Sequence, residues 1–286
     1  MNRVQAGFAA WAFAATLMAA LWLWHRRIHN AGIVDVGWAV SVAVAAWVYA
    51  AVAPGYPPRR GLIAAMMGVW GVRLAAYLLR DRVLGRPEDN RYASLRQQQS
   101  PAAALAFFPF FQAQALLAVV LSLPALLASF DPSPSLRAIE LLATTLWALA
   151  LAGEAIADLQ LERFKTRPEN RGKTCRNGLW RYSRHPNYFF EWVIWLAYAL
   201  FALASPGGWL ALLCPGLMLY LLFRVTGIPA TEAQALRTKG DDYRQYQATT
   251  SAFIPWFVRQ GASAPVVPGR QGAEAANSRS RGVEGA

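Results

Sequence analysis

Long apolar runs dominate the chain, and short polar segments separate them. A helix needs ~20 mostly apolar residues to cross the core of a bilayer. Seven runs of that kind are present, at residues 4–24, 31–53, 61–79, 102–129, 138–158, 188–204 and 208–225. The breaks between them are rich in Pro, Gly and Arg, which are typical of turns. The pattern predicts an all-α, polytopic membrane bundle of about seven transmembrane helices.

The composition agrees with a membrane protein. Of 286 residues, 56% are hydrophobic and 15% are charged, so there is too little polar surface to cover a soluble globule. We expect one transmembrane domain over residues 1–261, with its core at 30–257, and a disordered tail of Ala, Gly, Ser, Pro and Arg over 262–286. No small-residue cleavage pattern follows the first run, so it is interpreted as a retained helix.

Lys and Arg predict the orientation of the bundle. With seven spans, one side receives loops 25–30, 80–101 and 159–187 and the C-terminal segment. Counted with Arg224 at the end of the last run, that side holds 23 of the 28 basic residues. The sequence therefore predicts a cytoplasmic C-terminus and an external N-terminus, in a bacterial inner membrane. The net charge of +12 follows from this topology and from anionic lipid headgroups, so no nucleic-acid partner is expected.

Few ionisable residues lie within the runs, and such residues are costly in a membrane and therefore functional candidates. Asp35 lies in the second run, and Arg73 and Tyr77 share one helix face in the third. A structural ion pair between Asp35 and Arg73 is an alternative interpretation. Glu154 and Asp158 are also four residues apart, and two stacked carboxylates repel each other unless a cation or hydrogen-bond donors lie between them.

The polar segment at 170–192 has the highest concentration of candidate functional side chains in the chain. Pro186 suits the first turn of a helix, whose free N–H groups and dipole favour an anion. Arg176, Arg181, Arg184 and His185 surround this position, which predicts a pocket for phosphate groups. We also expect the side chains that follow to share one helix face: Asn187, Tyr188 and Glu191. Headgroup anchoring alone would explain the arginines but not Asn187 and Glu191.

Residue counts exclude several classes of enzyme. Three histidines are too few for a membrane di-iron centre, and no cluster has metal-ligand spacing, so no metal is expected. The chain has no dinucleotide fingerprint, P-loop or nucleophile elbow. A nucleotide would therefore be bound by the membrane helices and their loops.

The segment 178–188, followed by Glu191 and Trp195, resembles the C-terminal core of the steroid 5-alpha-reductase superfamily, in particular its bacterial branch. The likeness extends over roughly residues 30–257. It implies a seven-helix fold that binds NADPH from the cytoplasm and reduces a carbon–carbon double bond conjugated to a carbonyl. The substrate would be a lipophilic molecule, such as a steroid or an isoprenoid lipid, that enters from the bilayer.

The resemblance also implies roles for individual residues. Asp158, Asn187 and Glu191 would hold the dinucleotide, and Asp35 and Tyr77 would hold the substrate carbonyl. The full set expected to bind the cofactor is Asp158, Arg181, Tyr182, Arg184, His185, Asn187, Tyr188, Glu191, Tyr243 and Tyr246. The chain departs from the steroid enzymes in having Glu154 where they have an amide, and in lacking a histidine-rich stretch after the last run.

A second resemblance leads to a different activity. Isoprenylcysteine carboxyl methyltransferases and phospholipid methyltransferases share the Arg-His-Pro-x-Tyr element of residues 184–188 and a later Glu, here Glu232. Members of these families use S-adenosylmethionine. Asn187, Glu191 and the upstream Asp158 favour the reductase. A non-enzymatic transporter or assembly protein is the third alternative.

Overall fold

The computed structural model describes residues 1–85, 87, 88, 92, 103–225 and 227–259, and only the backbone of 103–106. The tail predicted at 262–286 lies outside these residues. Among the described residues there are helices, turns and loops but no β-strand. The α-helices are α1 Arg3–Ile28, α2 Ile33–Val52, α3 Pro57–Leu78, α4 Ala103–Leu121, α5 Leu123–Ser129, α6 Ala138–Lys165, α7 Pro186–Leu203, α8 Leu213–Tyr220, α9 Ile228–Lys239 and α10 Asp241–Thr249. The all-α prediction is confirmed.

Six helical segments of the described chain are long and apolar enough to cross a membrane. They include α1, α2, α3 and α6 as well as the segments 107–129 and 208–239. The seventh predicted span forms α7 but is not one of the six, since polar residues occupy its first two turns. Its C-terminal part is nevertheless a buried core helix, because Trp195, Tyr198 and Phe201 are fully buried. The chain is an integral membrane protein with a polytopic helix bundle.

Contacts at both ends of α7 show that it runs antiparallel to α6 over most of the length of α6. At the start of α7, Asn187 contacts Asp158 near the C-terminus of α6. Just past its end, the carbonyl oxygen of Ala204 accepts a hydrogen bond from Arg137, the residue before α6. Helix α7 therefore traverses the bundle at the same depth as α6, although it is less apolar.

A buried ion network closes the end of the bundle opposite the start of α7. Arg59 at the start of α3 is fully buried, forms an ion pair with Glu140 of α6 and donates a hydrogen bond to the Ser133 carbonyl (2.7 Å). Arg137 pairs with buried Asp131 at 3.0 Å. The network joins three connections that the predicted topology places on the external side, and it therefore supports their grouping at one end.

Candidate functional site

Helices α3, α6 and α7 bring five polar side chains together inside the bundle: Arg73, Glu154, Asp158, Asn187 and Glu191. We call this set the polar cluster. Arg73 forms an ion pair with Glu154 and a second one with Asp158, where Nη1 lies 3.1 Å from Oδ2. The cation expected between the two stacked carboxylates is therefore Arg73. Both carboxylates are buried, so this pairing offsets a large desolvation cost.

The first two turns of α7 complete the polar cluster. Pro186 is the first residue of this helix, as predicted. Asn187 donates a hydrogen bond from Nδ2 to Oδ1 of Asp158 at 3.2 Å. Glu191, one turn later, is buried and lies close enough to Glu154 to interact electrostatically. Three carboxyl groups therefore lie close together, and Arg73 pairs with two of them, Glu154 and Asp158.

Indole rings form the inner wall of the polar cluster. The carboxylate of Glu191 accepts hydrogen bonds from Nε1 of Trp70 at 3.0 Å and from Nε1 of Trp195 at 2.8 Å. Trp38 of α2 packs against both rings, with centroid distances of 5.7 and 6.3 Å. Its own Nε1 is buried without a hydrogen-bond partner among the described residues. The wall excludes water from one side of the cluster and fixes the rotamer of Glu191.

The polar cluster has hydrogen-bonding capacity that the described residues do not fill. Nε of Arg73 and Oε2 of Glu154 are buried, and neither has a hydrogen-bond partner among those residues. Buried polar atoms in proteins are almost always paired with protein, water or a ligand. These two atoms mark the part of the polar cluster where a polar ligand or an ordered water would find partners.

The two residues expected to hold a substrate carbonyl, Asp35 and Tyr77, contact different parts of the protein. Tyr77 lies one turn beyond Arg73 on α3 and close enough to Asp158 for an electrostatic interaction. Asp35 pairs instead with Arg82 at 2.5 Å and accepts a hydrogen bond from the Tyr92 hydroxyl at 2.7 Å. The alternative ion pair of Asp35 with Arg73 is wrong, because Arg73 points towards α6.

Arg184 and His185 bind a carboxylate of the protein. Arg184 donates from Nε to Oε1 of Glu232 at 2.7 Å, and Nε2 of His185 lies 3.3 Å from the same oxygen. Gln247 donates to the other oxygen of Glu232 at 2.8 Å, and the Tyr243 hydroxyl lies 3.4 Å from Oε1. We call these five residues the Glu232 hub. Their charges compensate one another, so the phosphate pocket expected at the start of α7 is occupied by a carboxylate of α9.

The remaining predicted residues lie around this hub and towards the surface. The Tyr246 hydroxyl donates to the Ser183 carbonyl at 3.0 Å, and burial raises the pKa of both Tyr243 and Tyr246, which keeps them protonated. Tyr188 stacks on His185 and bonds Thr231 at 3.3 Å, so it faces α9 and not the polar cluster. The expectation that it shares a face with Asn187 is wrong, because adjacent helix positions differ by about 100°. Arg181 and Tyr182 are exposed.

Comparison with protein families assigns the chain to a family. A family model described as "protein of unknown function (DUF1295)" matches residues 21–250, which is most of the chain. The chain belongs to the DUF1295 family. Comparisons with curated proteins and with solved structures gave no match.

The matched region contains every residue of the polar cluster and of the Glu232 hub. It also contains Trp70, which sequence reasoning missed as a partner of Glu191. Trp70 lies three residues before Arg73 and therefore on the same face of α3. That spacing could have identified Trp70 as a neighbour of the polar cluster.

Proposed function

We propose that this member of the DUF1295 family is a membrane-embedded, NADPH-dependent reductase of a carbon–carbon double bond conjugated to a carbonyl, with a lipophilic substrate. The observation that carries the proposal is the convergence of Asp158, Asn187 and Glu191 with Arg73. The first three are the residues that the reductase resemblance assigns to the dinucleotide. These residues come from α6 and α7, and anchoring of the chain to lipid headgroups would not require them to lie close together.

The chemistry of the polar cluster fits the uncharged end of a dinucleotide. A nicotinamide carboxamide and ribose hydroxyls both donate and accept hydrogen bonds. Nε of Arg73 could donate to such a group, and Oε2 of Glu154 could accept from it. Three carboxyl groups beside one guanidinium disfavour a phosphate there. When bound, NADPH would supply the hydride. The residues of the chain would orient it and keep water away.

Tyr77 is the better candidate for polarising the substrate carbonyl. Its phenol can donate a hydrogen bond to an oxygen that gains negative charge, which is the usual way to stabilise such a transition state. Asp35 is held instead by an ion pair with Arg82 and a hydrogen bond from Tyr92, and neither residue belongs to the polar cluster. Asp35 would therefore position Arg82 and the nearby loop, and Tyr77 would contact the substrate.

A binding titration tests the proposal. Purified protein in detergent should change NADPH fluorescence on binding. Glu191→Gln places an amide NH2 group against the Nε1–H of Trp70 or Trp195, and Asn187→Ala removes the donor to Asp158. Each change should disturb the polar cluster by about 1 to 3 kcal/mol, so NADPH affinity should fall roughly five- to a hundred-fold. Glu140→Gln is the matched control, since Glu140 is an equally buried glutamate at the opposite end of the bundle. It should lower thermal stability and leave NADPH affinity unchanged.

The opposite pattern would contradict the proposal. If Glu191→Gln and Asn187→Ala bind NADPH with unchanged affinity, whatever their unfolding temperature, the polar cluster is a structural network. One observation favours a methyltransferase as the second candidate: Arg184 and His185 contact Glu232, and all three belong to the elements named in the second resemblance. Tight S-adenosylmethionine binding without an NADPH response would establish that alternative. Binding of neither cofactor would favour a non-enzymatic protein.

A further inference from the structure

The chain leaves α10 in a non-helical segment, residues 250–259, that crosses the loop before α7. We call this segment the strap. Backbone hydrogen bonds hold it: Arg184 N donates to the Ser251 carbonyl at 2.8 Å and Trp256 N to the Tyr182 carbonyl at 2.9 Å. The Ser183 hydroxyl donates to the Phe253 carbonyl at 2.7 Å. The backbone of the strap is therefore fixed on the bundle.

One side chain of the strap points inwards and three point outwards. Phe253 is buried against Phe189, Trp192 and Phe223. By contrast, 59% of Ile254, 67% of Trp256 and 79% of Phe257 is exposed. Phe257 is more exposed than any other large hydrophobic side chain that the structure describes. A fixed backbone thus presents an apolar ridge to the surroundings.

Cationic groups border this ridge. A groove of about 440 Å³ beside the strap is lined by Arg176, Arg181, Thr249, Thr250 and Val258. Arg181 is exposed and has no hydrogen bond or ion pair to any residue that the structure describes. Arg176 pairs with Asp242 at 2.8 Å, but its Nε is buried without a partner in the same part of the chain. The groove therefore offers the unpaired guanidinium of Arg181, while Arg176 is already held by Asp242.

The strap lies beside the start of α7, where the predicted topology places the cytoplasmic membrane interface. It bonds to residues two to four positions before Pro186, where α7 begins. Phe253 also contacts Phe223, near the end of the apolar run at residues 208–225. Aromatic side chains favour this interfacial region, and arginines there are attracted to anionic headgroups.

We infer that the strap and its groove form a binding site for an anionic phospholipid of the leaflet at this end of the bundle. The Arg181 guanidinium would bind the headgroup phosphate, and the ridge would lie against the acyl chains. Phosphate pairs well with guanidinium groups. The combination of charge with an adjacent apolar ridge distinguishes a lipid from a small soluble anion.

Titration of detergent-purified full-length protein with fluorescent phosphatidylglycerol tests the inference. The protein should bind it more tightly than a phosphatidylcholine with the same acyl chains and label. Arg181→Gln removes one cationic contact near an anionic headgroup and should weaken phosphatidylglycerol binding about fivefold. Arg244→Gln is the matched control, since Arg244 is 58% exposed on the adjoining helix α10 but pairs with Asp241 outside the groove. It should have little effect.

A second variant separates the two parts of the site. Replacing Trp256 and Phe257 together by Ser should weaken binding of both lipids, and these exposed side chains are not needed for the core. Equal losses with Arg181→Gln and Arg244→Gln would overturn the inference, because attraction would then depend on charge alone. Displacement of phosphatidylglycerol by NADPH would also overturn it, since the groove would then belong to the cofactor, which the sequence had led us to expect at Arg181.

Discussion

Glu232 is the residue on which the attachment of α9 and α10 to the start of α7 most depends. It accepts hydrogen bonds from Arg184 and Gln247, and the His185 ring nitrogen lies within reach. Arg184 also donates to the Gln247 and Thr250 carbonyls at 3.0 and 2.7 Å. Only 12% of the Arg184 side chain and 16% of the Glu232 side chain is exposed, so screening by water is weak.

Glu232→Gln should therefore lower the stability of the folded protein. The variant keeps the volume but leaves the Arg184 guanidinium, mostly buried, without a counter-charge. We expect a loss of about 1 to 3 kcal/mol, below the cost of breaking a fully buried ion pair because the site is partly exposed. Thermal unfolding in detergent measures it. NADPH affinity should change little, because Glu232 lies outside the polar cluster.

Asp241→Asn is the comparison for this variant. It also removes one carboxylate from an ion pair with an arginine, but 93% of the Asp241 side chain and 58% of the Arg244 side chain is exposed. Exposed pairs contribute little, so its unfolding temperature should match that of the unmodified protein. Equal effects of the two substitutions would show that the Glu232 hub is not a structural centre.

At the scale of helices, glycines set the distance between α2 and α3. A Cβ at Gly71 would lie 2.8 Å from the Ala43 Cβ and 2.9 Å from the Ala39 carbonyl oxygen. At Gly68 it would lie 2.6 Å from Nε1 of Trp47. Small residues let membrane helices approach closely, which is the main source of helix association in lipid. This approach also fixes which face of α3 is left for α6 and α7.

Gly71→Ala should destabilise the bundle. The added methyl group meets a backbone carbonyl and a Cβ on a helix that cannot move independently, so we expect a loss of about 1 to 3 kcal/mol in thermal unfolding. Gly61→Ala on the same helix is the control, because a Cβ there meets nothing within 4 Å. It should be neutral or stabilise α3 by up to about 1 kcal/mol. A neutral Gly71→Ala would mean that α2 and α3 pack less tightly than described.

The rotation of α3 about its axis explains which parts of the site the sequence could predict. Apolar runs and Pro186 are local signals, so the helices and the start of α7 were predictable. The partner of Arg73 was not, because it depends on how α3 is rotated about its axis. Gly71 faces α2, and a residue two positions further on points to roughly the opposite side. Arg73 therefore reaches Glu154 and Asp158, although Asp35 lies on the preceding helix.

On the scale of the whole molecule, the described polar groups divide between the two ends of the bundle. Arg59, Asp131, Arg137 and Glu140 occupy one end, where Tyr56 N also donates to the Asp131 carbonyl at 3.2 Å. The polar cluster, the Glu232 hub and the strap lie towards the other. The charge bias along the chain predicts that this second end faces the cytoplasm, where NADPH is available. The proposed function therefore depends on the orientation of the bundle.

Labelling with a membrane-impermeant maleimide tests that orientation. Ser135→Cys and Thr238→Cys place the same group at exposed sites at opposite ends. The two native cysteines, Cys175 and Cys214, are buried, so the unmodified chain is a suitable background for this labelling. Burial also raises the pKa of Cys175, which lowers its thiolate fraction. We expect Ser135→Cys to react in intact cells and Thr238→Cys only after permeabilisation, with no labelling of the unmodified chain. The reverse pattern would place the polar cluster at the external end, out of reach of cytoplasmic NADPH, and the reductase proposal would fail with it.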